Sequence, residues 1–269
     1  MPVKKKRIWF WVKIIIIIYA GLGIALYYLQ DKILFHPLAL PQNHQWNFPY
    51  AFKEVNIPYT AESRMNVIQF TSDSIPKGVV LYFHGNKHNI SRYAPVVPSF
   101  TNNGWEIWML DYPGFGKSTG TLTEQNMYDW ALVFYKLARA NYEPADIIIY
   151  GRSMGTGIAT QLASVRDCRY LVLEAPYYSF PSIFNTYFPV YPYENIIKYD
   201  FPTHKFIKDV TAPVVIFHGT ADEIIPFRNG KKLEPLLKKT DEFISLTGAS
   251  HNDLDSFSIY TQKLDSILR

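Results

Sequence analysis

Three side chains in this 269-residue chain have the types and the order that covalent chemistry needs: Ser153, Asp222 and His251. Ser153 stands in Gly151-Arg152-Ser153-Met154-Gly155, a G-x-S-x-G pattern between the apolar run Ile147-Ile148-Ile149-Tyr150 and a helical stretch. In that setting the pattern is a nucleophile elbow, a turn so tight that side chains two residues either side would strike the backbone. Gly151 and Gly155 remove those collisions, and the serine hydroxyl then projects at a helix amino end, where the dipole favours negative charge. A serine hydroxyl is a poor nucleophile at neutral pH and needs a base, which in turn needs an orienting carboxylate. Val214 to Phe217 leads into His218-Gly219-Thr220-Ala221-Asp222, and Glu242 to Leu246 leads into Thr247-Gly248-Ala249-Ser250-His251. Each candidate therefore follows the end of its own strand, where ligand sites gather in open sheets. His251 is the only histidine after Asp222. Glu223, or Glu174 after the preceding strand, could supply the acid instead. Acyl transfer also needs oxyanion donors: the amide of Met154 after the nucleophile, and one from the loop Phe83-His84-Gly85-Asn86-Lys87-His88, for which Asn86 is the candidate.

Other motifs compete less well. His218 reads as a structural residue at a strand end, His204 falls in an irregular proline-rich segment, and His36 and His44 precede the first strands. No H-E-x-x-H spacing exists, so no metal site is expected, nor any organic cofactor. Asp111-Tyr112-Pro113-Gly114-Phe115-Gly116-Lys117-Ser118 looks like a phosphate loop, but a Walker motif needs glycine at 111. A dinucleotide fingerprint starting at Gly114 needs glycine or alanine at 119, where threonine stands. Asn89-Ile90-Ser91 is an acceptor sequon, relevant only in a eukaryotic secretory host.

The elements that position these residues alternate. Phe52 to Ile57 and Met65 to Phe70 read as an antiparallel lead-in, followed by buried strands Val79 to Phe83, Trp105 to Leu110, Ile147 to Tyr150, Tyr170 to Leu173, Val214 to Phe217 and Glu242 to Leu246. Helices are expected after Thr123 as N-cap, and over about 154–165, 229–238 and 252–268. Strands separated by single helices imply an α/β fold, a mostly parallel sheet of about eight strands covered on both faces. The segment at about 177–206 carries Pro181, Pro189, Pro192 and Pro202 among aromatics and reads as a lid. Its apolar residues Phe180, Ile183, Phe184, Tyr187 and Phe188 suggest a lipid-derived or acylated substrate.

Composition narrows the classes. Apolar residues make up 48% and charged residues 19%, which excludes a disordered chain. The formal charge is +4, but Lys4, Lys5, Lys6, Arg7 and Lys13 precede every acid; without them 22 positives face 23 negatives, so no basic face for nucleic acid is expected. The single cysteine, Cys168, excludes an intrachain disulfide framework. Residues 8–29 hold one charge, Lys13, and reach the ~20 apolar residues a bilayer span needs. The division expected is a cytoplasmic basic tail 1–7, a single transmembrane helix 8–29, a linker 30–50 and a catalytic domain 51–269 across the membrane, by the positive-inside rule. A cleaved signal ending near Gly23-Ile24-Ala25 is the rival reading.

Gly151 to Gly155, Asp222, His251 and the His84-Gly85-Asn86 loop together resemble the α/β-hydrolase superfamily. More narrowly, Leu34-Phe35-His36-Pro37, Asp111 to Gly116 and His218 to Pro226 are similar to membrane-anchored serine hydrolases of the serine aminopeptidase or monoacylglycerol-lipase-like branch. The resemblance runs from about residue 30 to the end. Lys87-His88 departs from a small Ala-Gly pair, which changes the charge of the oxyanion rim, and the turn 60–64 lacks the usual Asp-Gly. The resemblance implies an α/β-hydrolase fold with lid, and hydrolysis of carboxylic esters or thioesters of small-molecule, lipid or acylated-protein substrates through an acyl-enzyme. A serine peptidase and a non-catalytic binding protein on the same scaffold are the alternatives.

Overall fold

The computed structural model describes residues 2–72 and 75–269, with side chains from Arg7 onward among the first residues. Met1 and the side chains of the lysine cluster, Lys4 to Lys6, lie outside the described residues. The chain opens with α1 (Pro2–Leu34), 33 residues long. Its stretch from Arg7 to Leu34 is, among the described residues, the one helix long and apolar enough to cross a bilayer, and its span is not buried by the rest of the protein. α1 runs five residues past the expected boundary at Leu29. Nothing in Gln30-Asp31-Lys32-Ile33-Leu34 breaks a helix, and the first proline beyond is Pro37.

After α1 come β1 (His36–Pro37), β2 (Phe52–Pro58), β3 (Arg64–Phe70), β4 (Val79–Phe83), β5 (Lys87–His88), α2 (Ile90–Tyr93), α3 (Pro98–Thr101), β6 (Glu106–Asp111), α4 (Glu124–Arg139), β7 (Ile147–Arg152), α5 (Gly155–Val165) and β8 (Tyr170–Glu174). Next are α6 (Phe180–Tyr187), α7 (Tyr193–Ile196), α8 (Thr203–Phe206), β9 (Val214–Gly219), α9 (Phe227–Gly230), β10 (Glu242–Leu246) and α10 (Ser258–Ile267). Eight strands form one sheet in the order β10-β9-β8-β7-β4-β6-β3-β2. From β6 to β10 every neighbouring pair is parallel, while β2–β3 and β3–β6 are antiparallel. This is the expected α/β-hydrolase architecture, a mostly parallel sheet with helices on both faces.

Alternation along the strands sorts the core into two layers. Leu81, Ile149, Leu173 and Ile216 pack with α4 and α5 on one face. Val80, Ile148, Val172 and Val215 pack with Phe100, Tyr260 and Leu264 on the other. Thr123 caps α4, its Oγ1 accepting the Asn126 amide at 3.1 Å.

Three expected elements differ. The helix expected over 229–238 is α9 followed by a 3-10 turn, Lys231–Leu236, because Pro235 lies inside it and has no amide to donate. The helix expected over 252–268 starts only at Ser258, after a 3-10 turn at Leu254–Ser256; residues 250–253 serve the His251 loop instead. Between β4 and β6 there is no single helix but β5, α2 and α3. β5 pairs with β1, so the start of the segment after α1 lies against the domain as a strand of a small parallel sheet.

The proline-rich segment holds three short helices, α6, α7 and α8, and leans on α1. The Tyr19 and Tyr191 rings stack with centroids 4.4 Å apart, and Tyr19 OH donates to the Val190 carbonyl at 2.8 Å. Gln30, fully buried, donates from Nε2 to the Tyr27 and Ile196 carbonyls and accepts the Lys198 amide at 2.6 Å. Gln30→Ala strands the Lys198 amide and the Ile196 carbonyl, at a local cost of about 1–3 kcal/mol per buried group. Limited proteolysis should then cut within residues 188–199 several-fold faster than in the unsubstituted protein.

Candidate active site

The site begins with the connection from β7 to α5. Ser153 sits at φ +52°, the left-handed region that a residue with a side chain enters only under constraint. Its amide donates to the Glu174 carbonyl at 2.8 Å, and its carbonyl accepts from the Thr156 amide and Oγ1 at 2.9 and 2.6 Å. The space around the turn is already full. A Cβ on Gly155 would lie 2.0 Å from the Phe83 carbonyl oxygen, and one on Gly151 would lie 2.7 Å from the Gly155 carbonyl oxygen. Both glycines are therefore required by contact with backbone, which cannot move aside as a flexible side chain could.

The loops after β9 and β10 are stitched together by main-chain bonds. Ala221 N–H donates to the Ala249 carbonyl at 2.9 Å, and Thr220 N–H to the Leu246 carbonyl at 3.0 Å. A Cβ on Gly219 would meet the Ala249 carbonyl oxygen at 2.3 Å, so the close approach needs glycine there. Asp253 Oδ1 accepts the Ser250 amide at 2.7 Å and closes the turn that carries His251.

These constraints bring the three side chains together. His251 Nε2 lies 3.0 Å from Ser153 Oγ, and His251 Nδ1 lies 2.8 Å from Asp222 Oδ2. The other carboxylate oxygen, Asp222 Oδ1, accepts the Ile224 and Ile225 amides at 2.9 and 2.7 Å. All three residues are more than nine-tenths buried. Burial pushes the Asp222 carboxyl up, but hydrogen bonds from His218, His251 and the Ile225 amide outweigh it and hold the group well below the usual carboxylate range.

Of the alternative acids, one is engaged elsewhere and the other is exposed. Glu174 Oε1 is 3.2 Å from Arg152 Nε, and its Oε2 accepts from Tyr150 OH at 2.6 Å. Glu223 is exposed, and its carbonyl accepts the Tyr187 hydroxyl at 2.7 Å. Cys168 offers no rival nucleophile, because burial pushes its thiol up to about 12.

Ser153 and His251 open into a cleft of about 350 Å³ whose lining includes Gly85, Asn86, Lys87, Arg92, Tyr93 and Arg152. Asn86 thus stands at the cleft; its side chain is spent, donating to the Leu34 carbonyl at 2.6 Å, which leaves the main chain as what it can offer a ligand. Met154 is buried at the start of α5. None of Phe180, Ile183, Phe184, Tyr187 and Phe188 belongs to the cleft lining. Phe180 is buried in the core, Ile183 and Phe184 pack against it, and only Tyr187 and Phe188 are exposed. The segment at 177–206 therefore flanks the cleft rather than roofing it.

Two further residues support the site: His218, read from sequence as a structural residue, and Arg152, which sequence reasoning did not assign. His218 Nε2 donates to the Ile225 carbonyl at 2.9 Å and lies 3.4 Å from Asp222 Oδ2, the same oxygen that faces His251 Nδ1. Its spacing of four residues from Asp222 was the available signal. Arg152, beside Ser153, ties β7 to β8 through Glu174. The sequon asparagine, Asn89, is buried; its Nδ2 donates to the Leu38 carbonyl at 3.1 Å and its Oδ1 caps α2, so that nitrogen is not presented for glycosylation. Lys117 of the glycine-rich turn binds Glu54 at 2.6 Å and the His44 carbonyl at 3.1 Å, a tie between β2 and the segment before it. Among the described residues no cluster of three His, Cys, Asp or Glu side chains could hold a metal ion.

Comparison with known proteins follows the same outline. The family described as "Serine aminopeptidase, S33" matches residues 74–194, which contain the elbow but neither Asp222 nor His251. Alpha/beta hydrolase domain-containing protein 17C of Xenopus tropicalis is 31% identical over 198 residues, 70% of this chain and 61% of that protein. Protein 17B of the same name series, from Homo sapiens, is 32% identical over 197 residues, 70% and 65% respectively. The chain belongs to the α/β-hydrolase superfamily. It spans about 60% of the length of the curated relatives it matches first. Among solved structures, an esterase of Pyrococcus furiosus superposes with a TM-score of 0.67 at 17% identity, over 87% of this chain and 97% of that one. A monoacylglycerol lipase of Paleococcus ferrophilus gives 0.58 at 18% identity, over 76% and 99%. At such identities these two likenesses speak for the fold alone.

A depressed carboxyl stabilises the fold above the ordinary carboxylate range and ceases to do so as pH falls through its folded value. Asp222→Asn should therefore be less stable than the unsubstituted protein near neutrality by about 2 kcal/mol. That difference should shrink as pH drops below about 4, read as denaturant midpoints against pH.

Proposed function

We propose that the protein is a membrane-anchored serine hydrolase that cleaves carboxylic ester or thioester bonds through an acyl-enzyme. The observation that carries this reading is the relay from Ser153 Oγ through His251 Nε2 and Nδ1 to Asp222 Oδ2, at 3.0 and 2.8 Å. In the proposed first half-reaction Ser153 Oγ attacks the acyl carbonyl carbon while its proton passes to His251 Nε2. Asp222 holds the imidazole with Nδ1 protonated and stabilises the imidazolium. The oxyanion is received by the main-chain amides of Asn86 and Met154. The carbon–oxygen or carbon–sulfur bond to the leaving group then breaks, and His251 returns the proton to that oxygen or sulfur. In the second half-reaction water gives a proton to His251, adds to the acyl carbon and releases the acid, restoring Ser153.

In this reading α1 is the anchor, with the amino-terminal basic cluster on the cytoplasmic side and the catalytic domain across the membrane. The lysine and arginine bias ahead of the apolar run supports that orientation. A lipid or acylated substrate suits a site tethered at a bilayer, beside the exposed apolar side chains Tyr187, Phe188 and Val190. The matched family's description as an aminopeptidase favours a second reading, a serine peptidase. Recognition of a substrate's amino terminus calls for a carboxylate near the nucleophile, and the cleft lining holds no aspartate or glutamate. Ester or thioester hydrolysis is therefore preferred, and a non-catalytic scaffold would have no use for an assembled relay.

Ser153→Ala should abolish hydrolysis of a p-nitrophenyl ester and labelling by a fluorophosphonate, while Asp222→Asn should lower kcat by about 10⁴. Labelling of the alanine variant equal to that of the unsubstituted protein would remove the assignment. Across p-nitrophenyl esters from acetyl to palmitoyl, kcat/KM should rise with chain length; a flat or falling profile argues against a lipid-derived substrate.

A further inference from the structure

The lining of the cleft has a charge bias that the proposed chemistry does not use. Lys87, Arg92 and Arg152 all belong to it, beside Ser153 and His251, and among the described residues no aspartate or glutamate is part of that lining. The body of the protein beyond its first thirteen residues is close to neutral, so three cations around one nucleophile are a local feature and not the overflow of a basic surface.

The three are not alike. Arg152 is partly buried and compensated, with its Nε 3.2 Å from Glu174 Oε1 and an Nη2 contact to Asn252 Oδ1 at 3.4 Å. Lys87 and Arg92 are exposed and, among the described residues, make no ion pair. Their placement is fixed by main chain. Lys87 directly follows Asn86 in β5, pinned by the pairing of β5 with β1 and by Tyr93 OH, which donates to the Lys87 carbonyl at 3.1 Å. Arg92 rides on α2, whose start is held by the Asn89 cap and by Asp111 Oδ1 accepting the Ile90 amide at 3.0 Å. Both positive charges of the arginines are felt at Tyr93: burial pushes its phenol up, and Arg152 and Arg92 work against that rise. Low-dielectric walls bearing one sign of charge focus the field into the opening between them.

An acyl chain is apolar and gains nothing from three cations. The charge complement must lie on the other side of the scissile bond. Resting on the ester-hydrolase reading above, we infer that the cleft selects acyl substrates whose leaving group carries a phosphate, with Lys87 and Arg92 as the specificity-determining residues. The guanidinium of Arg92 and the ammonium of Lys87 receive the phosphate oxygens. Arg152, already balanced by Glu174, holds the strand end that presents Ser153.

The experiment compares a 1-acylglycerol with the 1-acylglycerol 3-phosphate of the same acyl chain, in neutral detergent micelles, using the full chain. The phosphate ester should have the higher kcat/KM by about tenfold, and the advantage should fade as salt rises from about 0.01 M to about 1 M and the screening length contracts from about 30 to about 3 Å. In Lys87→Glu/Arg92→Glu the ratio of phosphate to neutral ester should fall about tenfold or more, and in the charge-conserving Lys87→Arg/Arg92→Lys it should persist. A ratio near one in the unsubstituted protein, or a ratio that the glutamate pair leaves unmoved, overturns the inference while the hydrolase reading stands. If neither ester is cleaved and fluorophosphonate does not label Ser153, the hydrolase reading fails and takes the inference with it. A third arm with an S-acyl phosphopantetheine separates the two sources of phosphate: faster turnover than the lysophospholipid assigns a soluble thioester, slower turnover a lipid.

Discussion

The turn between β7 and α5 is the constraint on which the site depends. Ser153 occupies a left-handed conformation at φ +52°, which for a residue with a side chain costs roughly 1–2 kcal/mol. The turn persists because its surroundings leave it no alternative. The Ser153 amide is held by the Glu174 carbonyl across from β8, and the start of α5 lies so close to the end of β4 that a single Cβ at Gly155 would overlap the Phe83 carbonyl. The three central strands β4, β7 and β8, each buried on both faces, therefore act as the frame that holds one hydroxyl above the sheet. Strain at one residue is borne by the packing of many.

The electrostatics of the site rest on a different device. A carboxylate buried beside two imidazoles would ordinarily become protonated or find a cation. Asp222 instead receives two main-chain amides on Oδ1, from Ile224 and Ile225, and turns Oδ2 toward both His251 and His218. His218 is kept from competing for His251's role by its own bond to the Ile225 carbonyl, which directs its Nε2 proton. Two histidines near one acid thus have separate duties, and it is the backbone after β9 that separates them. The same economy appears at Glu174, which is drawn to Arg152 and Tyr150 and so is withdrawn from the relay.

The apolar helix α1 is joined to the domain at two levels. β1 pairs with β5, so the residues that follow the helix are linked to the strand that carries Lys87 beside the cleft. Higher on the helix, Tyr19 and Gln30 hold the proline-rich segment through Val190, Tyr191, Ile196 and Lys198. The exposed apolar side chains of that segment consequently lie beside the same helix that is apolar enough to enter a bilayer. Helix, flanking segment and cleft rim form one mechanical unit.

Much of this was legible in the residues. Short apolar runs bounded by turn residues located all eight strands of the main sheet. For the inner strands this is because a strand buried on both faces has little choice of composition. By contrast β2 and β10, at the sheet edges, are half-buried or exposed along most of their length. G-x-S-x-G between a strand and a helix located Ser153, because the pattern is contiguous in the chain, although the contact that requires glycine at 155 comes from Phe83 on β4. The order of Ser153, Asp222 and His251 indicated which strand ends had to meet. Local sequence did not reveal how helices break up near a site: α9 stops early at a 3-10 turn containing Pro235, and α10 starts late because residues 250–253 fold back to hold His251. Chain order favoured Asp222 as the partner of His251, but it left Glu174 and Glu223 as alternatives. That choice was made by contacts between residues far apart in the chain, Arg152 with Glu174 and Ala221 with Ala249, as was the gathering of Lys87, Arg92 and Arg152 around one opening. Composition and spacing determine which groups exist and which backbone each can tolerate, whereas which of them touch depends on strand order, and strand order is a property of the folded sheet.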